Sequence, residues 1–342
     1  MQSESMRIAV LHGGPSSEHD ISVWSSRGVL STLRDLGHEV LPVYVDRSGH
    51  WHFGGRDSEA GQQMPGALPV LAAVQRLQAL LPDVAFLGFH GTYGEDGRIQ
   101  ALLQLADIRY TGSTMLASAM AMDKPTARHL FTAAGLPVAK AIELSTSGLY
   151  ELTGARVAAD NLVTALGLPV VVKVPAGGSS VGVEIPRTVD DLTQALLRLS
   201  GDAQHLLCEQ FIAGTELTAG VLQRADGTLE SLPIVEIVPV SAAFFDYEAK
   251  YQSGGSQEIV PARISPELTA KVQELGRRAH HALGCRGVSR TDIIVRADGE
   301  PFLLETNTLP GLTPASLLPK AAEAAGYTYP QLLQRILATA SM

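Results

Sequence analysis

Apolar runs and amphipathic stretches alternate along the first third of the chain. Short apolar runs are typical of buried strands, and apolar residues three or four positions apart are typical of helices. An alternation of strand, turn and helix predicts a doubly wound parallel sheet, an α/β unit whose ligands gather at the carboxyl ends of the strands. The predicted elements are a strand at 7–11, a helix at 22–36, a strand at 38–45, a helix at 70–80, a strand at 84–88, and helices at 97–106 and 114–122.

The middle of the chain has a different pattern, because short strands outnumber helices. The change comes at Asp123-Lys124-Pro125, where proline suits the first turn of a helix. We predict a small α+β lid from this mixture. Its predicted elements are a helix at 126–134, a strand at 138–144, a helix at 158–166, a strand at 170–174, a strand at 183–185, a helix at 189–199 and a strand at 205–211.

The last third begins at Glu216 and is predicted to form an antiparallel sheet, interrupted by a polar segment at residues 241–257. A helix at 266–283, a hairpin, and helices at 316–325 and 329–339 complete the chain. Residues 1–5 are predicted to be a disordered leader. The three patterns predict three domains: an N-terminal α/β domain over 1–123, a central lid over 124–215 and a C-terminal antiparallel-sheet domain over 216–342.

The hairpin near the C-terminus carries the strongest chemical signal. Side chains two apart on a strand point to one face, so Glu305 and Asn307 are predicted to lie together, with Leu304 on the other face. An Asp-Gly turn folds the preceding strand back, which sets Asp292 opposite Leu304 or Glu305 and brings Arg290 to the same face. Carboxylate and amide oxygens suit Mg²⁺. The hairpin therefore predicts a site for Mg²⁺ and a phosphorylated substrate; the alternative is an exposed hairpin with solvated charges.

The composition excludes several classes of protein. A chain of 342 residues with 45% hydrophobic residues can form more than one core, and a net charge of −9 disfavours general nucleic-acid binding. No apolar run reaches the roughly 18 residues of a membrane span, and the N-terminus has no secretory signal region. Cys208 and Cys285 lie in apolar surroundings, which predicts buried free thiols in a reducing cytoplasm.

A glycine-rich loop at residues 177–182 follows Lys173. Glycines let backbone N–H groups approach phosphate oxygens, and the serines add hydroxyl donors. The lysine precedes this loop, whereas it follows the loop in a P-loop motif. Lys173 has apolar neighbours on both sides, where a lysine needs an anionic partner. The loop fits a phosphate site, with an ordinary tight turn as the alternative.

Two other glycine loops follow predicted strands of the first sheet. Residues 13–18 lack the G-x-G-x-x-G pattern of a dinucleotide site, and Glu18 would repel phosphate. A carboxylate there suits a substrate ammonium; the alternative is a serine cap with Glu18 stabilising the helix dipole. Residues 90–97 indicate a binding edge beside this loop, with a structural role for His90 as the alternative.

The polar segment at residues 241–257 is long for a loop inside a compact domain. Such segments are lids or disordered chain. Aromatic residues around Lys250 favour a mobile lid that closes over a phosphate.

Read together, these motifs resemble the D-alanine–D-alanine ligase family of the ATP-grasp superfamily. The resemblance runs in order from Arg7 to the C-terminus, and its last segment separates this family from ATP-grasp enzymes in general. It implies a three-domain ATP-grasp architecture. The motifs are HGGPSSEHDIS, HGTYGEDG, YTGS with MDK, VVKVPAGGSSVG, FFDYEAKY, SRTDI and LLETNTLPGLTPAS.

The resemblance implies an ATP site between the central and C-terminal domains. It assigns Lys124 and Lys173 to the phosphates, beneath the glycine loop. It assigns Glu209 to the adenine amino group and Glu216 to the ribose, while Gln210 stands where many members have lysine. The implied ATP-binding residues are Lys124, Lys173, Gly178, Ser179, Ser180, Glu209, Gln210, Phe211, Ile212 and Glu216.

The same resemblance implies the metal and oxyanion sites. Asp292, Glu305 and Asn307 match the family's ligands for two Mg²⁺ ions, with Mn²⁺ as a substitute, and a monovalent cation is left open as a further cofactor. Arg290 and the Gly311 amide match the groups that stabilise the oxyanion of the tetrahedral intermediate.

Amino-acid binding is implied at both ends of the site. Glu18 and His90 match residues at the first D-alanine, where the carboxylate meets the ammonium. Ser316 and the Leu317 amide match the clamp on the carboxylate of the second D-alanine.

The lid is implied to complete the site. Lys250 matches a loop lysine that reaches the γ-phosphate, and Glu18, Ser179 and Tyr251 match a hydrogen-bonded triad that ties the closed loop to the first domain. Phe245 stands where some members have tyrosine.

The implied reaction phosphorylates one D-alanine to an acyl phosphate, which the amine of the second attacks, for peptidoglycan precursor synthesis. The implied setting is a cytoplasmic homodimer without nucleic-acid or membrane partners. The alternatives are another ATP-grasp carboxylate–amine ligase, a D-alanine–D-lactate ligase and a catalytically silent nucleotide-binding regulator. A dinucleotide-dependent oxidoreductase would need the phosphate fingerprint that residues 13–18 lack.

Overall fold

Three β-sheets organise the protein in the computed structural model, which describes residues 5–54, 66–176, 182–239 and 256–341. All but the last residue of the predicted leader lie outside these ranges, as do most of the glycine loop at 177–182 and most of the predicted lid. Ser256 and Gln257, which the sequence placed in the lid, belong to a strand.

The first sheet has the order β3-β2-β1-β4, and β1 pairs in parallel with both neighbours. The predicted parallel sheet is confirmed, although β3 adds an antiparallel edge that was too short to show a pattern. Helix α1 starts three residues before the prediction, since polar residues in its first turn hide its beginning. The elements are β1 (Arg7–Gly13), α1 (His19–Asp35), β2 (Glu39–Val45), β3 (Trp51–Phe53), α2 (Val70–Ala79), β4 (Val84–Leu87), α3 (Arg98–Leu105) and α4 (Met115–Met122).

The second sheet has the antiparallel order β5-β8-β6-β7 and confirms the α+β mixture of helices and short strands predicted for the middle of the chain. The strand predicted at 138–144 begins only at Ala141, because Val138 bridges to Leu303 of the third sheet instead. The predicted helix at 158–166 begins earlier, at Leu152. The elements are α5 (Lys124–Ala133), β5 (Ala141–Ser145), α6 (Leu152–Leu166), β6 (Val170–Lys173), β7 (Val183–Glu184), α7 (Val189–Leu199) and β8 (His205–Gln210).

The third sheet is antiparallel, with the order β12-β11-β9-β13-β14 and β10 paired to β9. This arrangement confirms the predicted antiparallel sheet. The elements are β9 (Thr215–Gln223), β10 (Leu229–Ser231), β11 (Val235–Pro239), β12 (Ser256–Ile259), α8 (Pro266–Ala282), β13 (Val288–Val295), β14 (Pro301–Asn307), α9 (Leu317–Ala324) and α10 (Tyr329–Ala338).

The first and third sheets share a core. Ile8 of β1 and Leu33 of α1 pack in one cluster with Leu222 of β9 and Leu332 of α10. The second sheet packs on α6 and α7 in a separate cluster that includes Cys208. The carboxyl ends of β1 and β4 are thereby held close to the third sheet, which positions the candidate site.

Both cysteines are free and buried, as predicted, and burial raises the pKa of the Cys208 and Cys285 thiols to about 12. Within the described ranges, none of the helices combines the length and apolarity needed to cross a membrane.

Candidate functional site

The hairpin of β13 and β14 forms one wall of the candidate site. Its register sets Asp292 opposite Glu305 and Arg290 opposite Asn307, one of the two pairings predicted for Asp292. A β-bulge follows Asp292 and leaves Leu304 without a partner on β13. Leu304 therefore lines the same cavity as Glu305, and the prediction that it faces the other way is wrong.

The charged side chains of this wall contact one another. Arg290 donates from Nε and Nη2 to the two oxygens of Asp292, each at 2.9 Å, and Asn307 Nδ2 lies 3.3 Å from Asp292 Oδ2. Lys124 Nζ lies 3.7 Å from Glu305 Oε2. Such bidentate and charge-assisted contacts fix the direction of each carboxylate.

The donor set of this wall fits Mg²⁺ that completes its coordination with substrate oxygens. No cluster of three or more His, Cys, Asp or Glu side chains that could hold a metal occurs among the residues described. Asp292, Glu305 and Asn307 supply two carboxylates and one amide. Mg²⁺ commonly uses one or two protein carboxylates together with phosphate oxygens and water.

A cavity of about 390 Å³ separates this wall from the second sheet. Its volume falls in the range of small-molecule and cofactor pockets. The structure brings together here all the described residues that the sequence assigned to ATP and two of the three assigned to metal, namely Lys124, Lys173, Glu209, Gln210, Phe211, Ile212, Glu216, Asp292 and Glu305.

Glu209 of β8 is a buried acid of the cavity. Lys173 Nζ lies 2.6 Å from its Oε2, and Arg128 Nη1 donates to its Oε1 at 3.1 Å. Burial lowers the pKa of Arg128, and the Glu209 carboxylate opposes that shift. Sequence reasoning missed Arg128; its position one helical turn after Lys124 was the available signal.

Several predicted residues lie outside the described ranges. They are Gly178, Ser179 and Ser180 of the glycine loop, and Phe245, Lys250 and Tyr251 of the lid. Their assignments remain predictions.

The loop after β1 forms a second part of the site. Gly13 has φ +87°, and a Cβ there would lie 2.2 Å from the Val45 carbonyl oxygen, so only glycine fits. Glu18 is buried at the N-cap position of α1, and its side chain makes no capping hydrogen bond. The Ser16 hydroxyl instead accepts from the Glu18 N–H at 3.1 Å. The carboxylate of Glu18 is thus not used as a helix cap.

The loop after β4 places His90 beside Glu18. His90 Nδ1 donates to the Leu309 carbonyl oxygen at 3.1 Å, so the neutral ring accepts at Nε2 from the Ser25 hydroxyl, 2.9 Å away. Burial lowers the pKa of His90, against the attraction of the Glu18 carboxylate. The contact with Leu309 joins this loop to the segment that follows β14.

Glu95 is a second acid in this pocket, with its side chain 12% exposed, and sequence reasoning missed its role although its motif was noted. Its Oε1 lies 4.0 Å from His90 Nδ1 and accepts from the Gly91 N–H at 3.3 Å. Burial raises the pKa of Glu95 well above its usual range, and the nearby Glu18 carboxylate raises it further. The pocket therefore favours a cationic group and disfavours further negative charge.

The segment after β14 leads to the start of α9. The Ser316 hydroxyl hydrogen-bonds the Thr313 hydroxyl at 2.7 Å, and a Cβ on Gly311 would lie 2.8 Å from Ser316 Oγ. Leu317 is the first residue of α9, where unsatisfied N–H groups and the helix dipole favour an anion. Ser316 and Leu317, the residues predicted to bind the carboxylate of the second D-alanine, therefore lie at a helix N-terminus.

Comparison with known proteins gives one family. A family model described as the D-Ala-D-Ala ligase N-terminus matches residues 7–113, and one described as the C-terminus matches residues 130–338. The D-alanine–D-alanine ligase of Halalkalibacterium halodurans is 41% identical over 334 residues, covering 96% of this chain and 97% of the relative. That of Leptospira interrogans is 39% identical over 348 residues, covering 97% of each chain.

Solved structures agree with these sequence matches. The D-alanine–D-alanine ligase from Bacillus anthracis has a TM-score of 0.77 at 34% identity and covers 98% of this chain and 97% of its own. The VanG D-Ala:D-Ser ligase from Enterococcus faecalis has a TM-score of 0.80 at 28% identity, with 98% and 99% covered. The three-sheet architecture is therefore that of these ligases.

Proposed function

Because the chain belongs to the D-alanine–D-alanine ligase family, we propose that the wall of β13 and β14 and the pocket of Glu18 and His90 serve different steps of one reaction. The chain is an ATP-dependent enzyme that ligates D-alanine to D-alanine, a step of peptidoglycan synthesis. The wall of β13 and β14 serves phosphoryl transfer, and the pocket of Glu18 and His90 serves the first amino acid. The single observation that carries the phosphoryl-transfer part of this proposal is the cavity that joins Lys124, Lys173 and Glu209 to Asp292 and Glu305.

ATP binding is assigned to the cavity between the second and third sheets. Lys124 and Lys173 bind its phosphates, with backbone and hydroxyl groups of Gly178, Ser179 and Ser180 closing over them. Such a cradle stabilises the charge of the transferring phosphoryl group. Glu209 accepts from the adenine amino group, Glu216 binds the ribose, and Gln210, Phe211 and Ile212 line the base.

Metal binding is assigned to Asp292, Glu305 and Asn307, which would supply carboxylate and amide oxygens to two Mg²⁺ ions. Bound Mg²⁺ offsets negative charge on the phosphates during transfer. Mn²⁺ is the proposed substitute, and dependence on a monovalent cation is open to measurement. Lys124, 3.7 Å from Glu305, keeps that carboxylate beside the phosphates.

The amino-acid steps use the pocket of Glu18 and His90 and the segment after β14. Glu18 binds the ammonium of the first D-alanine and His90 lies beside it, while Ser316 and the Leu317 amide bind the carboxylate of the second. The second amine attacks the D-alanyl phosphate, and the guanidinium of Arg290 stabilises the developing oxyanion together with the Gly311 amide. No covalent bond to the enzyme is needed.

The segment at 241–257 is proposed as the lid. Lys250 reaches the γ-phosphate when it closes, and Tyr251 bonds Ser179 and Glu18. Exclusion of water protects the acyl phosphate from hydrolysis. Phe245 removes one hydroxyl that some relatives have in this loop.

We also propose the three-domain division at 1–123, 124–215 and 216–342, a homodimeric assembly and a cytoplasmic location. ATP and D-alanine are the proposed partners, without nucleic acid or membrane. Light scattering of the purified chain, together with limited proteolysis around residues 123 and 215, tests the assembly and the boundaries.

A product assay separates the proposed reaction from its alternatives. Purified protein with ATP and Mg²⁺ should release phosphate and form D-alanyl-D-alanine from D-alanine, and should do so poorly from L-alanine. Mixtures of D-alanine with D-serine or D-lactate test whether the second substrate is one of these two compounds. D-serine is the second substrate named for the VanG ligase. Preferred formation of D-alanyl-D-serine or the D-lactate ester would overturn the assignment of the second substrate.

A further inference from the structure

Glu209 is held between two cations that belong to different parts of the fold. Arg128 of α5 contacts one of its oxygens at 3.1 Å, and Lys173 of β6 contacts the other at 2.6 Å. The side chains of Arg128, Lys173 and Glu209 are 16%, 13% and 9% exposed. A buried carboxylate of this kind needs a partner, since losing one leaves an uncompensated buried charge.

Helix α5 presents a cation to each end of the cavity. Lys124 and Arg128 are four residues apart and lie on one face of the helix. Lys124 Nζ lies 3.7 Å from Glu305 at the metal end, whereas Arg128 reaches Glu209 at the other end. The Asp123 side chain caps the helix, and the Lys124 N–H donates to the Pro175 carbonyl oxygen at 3.1 Å, which ties the helix to the strand end near Lys173.

The two cations that contact Glu209 have different roles in the proposed function. In the proposed function Lys173 binds the phosphates of ATP. An N–H of Lys173 that donates to a phosphate is no longer available to Glu209. Arg128 is not assigned to the phosphates. It approaches the carboxylate from the helix side and contacts Oε1, whereas Lys173 contacts Oε2. A guanidinium holds a carboxylate in a fixed direction better than an ammonium does.

We propose that Arg128 is a positioning residue that fixes the Glu209 carboxylate through Oε1, so that Oε2, the oxygen that Lys173 contacts, selects nucleotides with a 6-amino purine. This inference rests on the proposed ATP site. Arg128 keeps one oxygen of Glu209 bonded, and the other oxygen accepts from the exocyclic amino group. Loss of Arg128 therefore weakens discrimination of the base more than it weakens binding of the phosphates.

The test compares ADP with purine riboside diphosphate, which lacks the 6-amino group, by calorimetric titration with Mg²⁺ and without amino acid. A hydrogen bond to a charged group corresponds to roughly 10- to 100-fold in affinity, so the wild type should prefer ADP by at least about tenfold. Arg128→Met should reduce this preference to about twofold or less, and Arg128→Lys should restore part of it. In a Glu209→Gln background, Arg128→Met should change the preference no further.

His129→Gln is the matched control. His129 is next to Arg128 on the same helix and contacts its own acid, Glu143, at 3.1 Å, but its side chain is 71% exposed. This variant should keep the preference of the wild type. Thermal unfolding confirms that each variant is folded, and Arg128→Gln replaces Arg128→Met if the latter is not.

Two results would overturn the proposal. One is a wild type that binds both diphosphates equally; the other is a folded Arg128 variant that loses affinity for both by the same factor, as a purely structural role requires. The ligase assay is independent of this titration. Base discrimination that depends on Arg128 in a protein that forms no D-alanyl-D-alanine would refute the proposed reaction and leave the role of Arg128 intact.

Discussion

The wall of β13 and β14 and the pocket of Glu18, His90 and Glu95 both concentrate acids, but they hold them differently. On the strands, each carboxylate has a cation close by, Arg290 for Asp292 and Lys124 for Glu305. In the pocket, the described contacts of Glu95 are with a backbone N–H and with a histidine whose pKa is lowered by burial. On the strand wall each carboxylate contacts a cation directly, whereas the Arg290 guanidinium acts on Glu95 only through its charge.

This difference separates what the two regions recognise. Carboxylates that point from paired strands, with fixed directions, suit metal ions and the phosphates that accompany them. A buried pocket with adjacent acids raises the free energy of adding negative charge and lowers that of adding an ammonium. The contrast fits a reaction in which a phosphate and an amino acid meet between the two regions.

The largest effect is expected from removing charge on the strand wall. Glu305→Gln keeps the shape of the side chain but replaces a carboxylate ligand by a neutral amide. Turnover should fall by at least about a thousandfold, because metal stabilisation of the phosphoryl group is worth several kcal/mol. Dipeptide formation at saturating Mg²⁺ measures the loss, and titration with ATP shows whether the nucleotide still binds.

Glu300→Gln is the control for that variant. Glu300 lies in the same hairpin, next to the turn, where its exposed carboxylate contacts Lys271 at 3.4 Å. It should leave turnover unchanged. Near-normal activity of Glu305→Gln would refute the metal assignment.

A smaller effect is expected on the pocket side. Glu18→Gln removes the charge assigned to the ammonium of the first D-alanine, so the KM for that substrate should rise roughly 10- to 100-fold, the range for a charge-assisted hydrogen bond. Steady-state kinetics resolved for the two D-alanine sites give the value. Glu39→Gln, an exposed acid that contacts Arg7, is the control. An unchanged KM would show that Glu18 does not bind the ammonium.

The strand wall could be predicted from the sequence because its geometry follows from periodicity. Side chains two apart share a face, and the Asp-Gly turn limits the register, so Asp292 lies opposite Glu305 as one of two expected pairings. Within this hairpin, the bulge at Leu304 was not predicted, because a single inserted residue does not change the apolar pattern. The order of the three sheets along the chain and most of the helices could be predicted for the same reason, from the periodicity of apolar residues.

The pocket and Arg128 could not be predicted in this way. Glu95 meets Glu18, and Ser25 meets His90, through contacts between residues that are 65 or more positions apart. Such contacts depend on how two loops and a helix pack, which local periodicity does not encode. The glycine loops and the resemblance to a family both pointed to Glu18 and His90, but neither assigned a role to Glu95 or Arg128.

The acidity of the pocket predicts a pH dependence. Because burial raises the folded-state pKa of Glu95 above its usual value of 4.5, the folded protein holds this proton more tightly than the unfolded chain. The stabilisation is complete below pH 4.5 and is lost as pH rises through the folded-state pKa. Relative to Glu95→Gln, the wild type should lose unfolding free energy with rising pH, by up to about 1.4 kcal/mol per pH unit.

Denaturant unfolding of both proteins between pH 4.5 and 8.5 measures this difference. The buried histidines titrate in both proteins and largely cancel. Glu143→Gln, which changes an exposed acid, should follow the wild type. A difference that does not vary with pH would show that the fold does not raise the pKa of Glu95, and it would refute the account of the pocket as a place that disfavours further negative charge.

The smallest effect concerns the segment that connects the two regions. The Tyr329 hydroxyl donates to the Leu312 carbonyl oxygen at 2.7 Å, next to Gly311. Tyr329→Phe removes this bond and should lower the unfolding free energy by about 0.5–1.5 kcal/mol. It should also raise the KM for the second D-alanine a few-fold, because the segment that leads to Ser316 loses one restraint.

Tyr327→Phe provides the comparison that separates stability from positioning. The Tyr327 hydroxyl donates to Glu230 Oε1 at 2.6 Å, and no residue of the cavity or the pocket takes part in that contact. Both variants should lose stability, measured by denaturant unfolding, but only Tyr329→Phe should change the KM for the second D-alanine. Equal kinetics in the two variants would mean that the segment after β14 is held by its own backbone and by the Ser316–Thr313 contact, and that the last helix stabilises the fold without positioning the substrate.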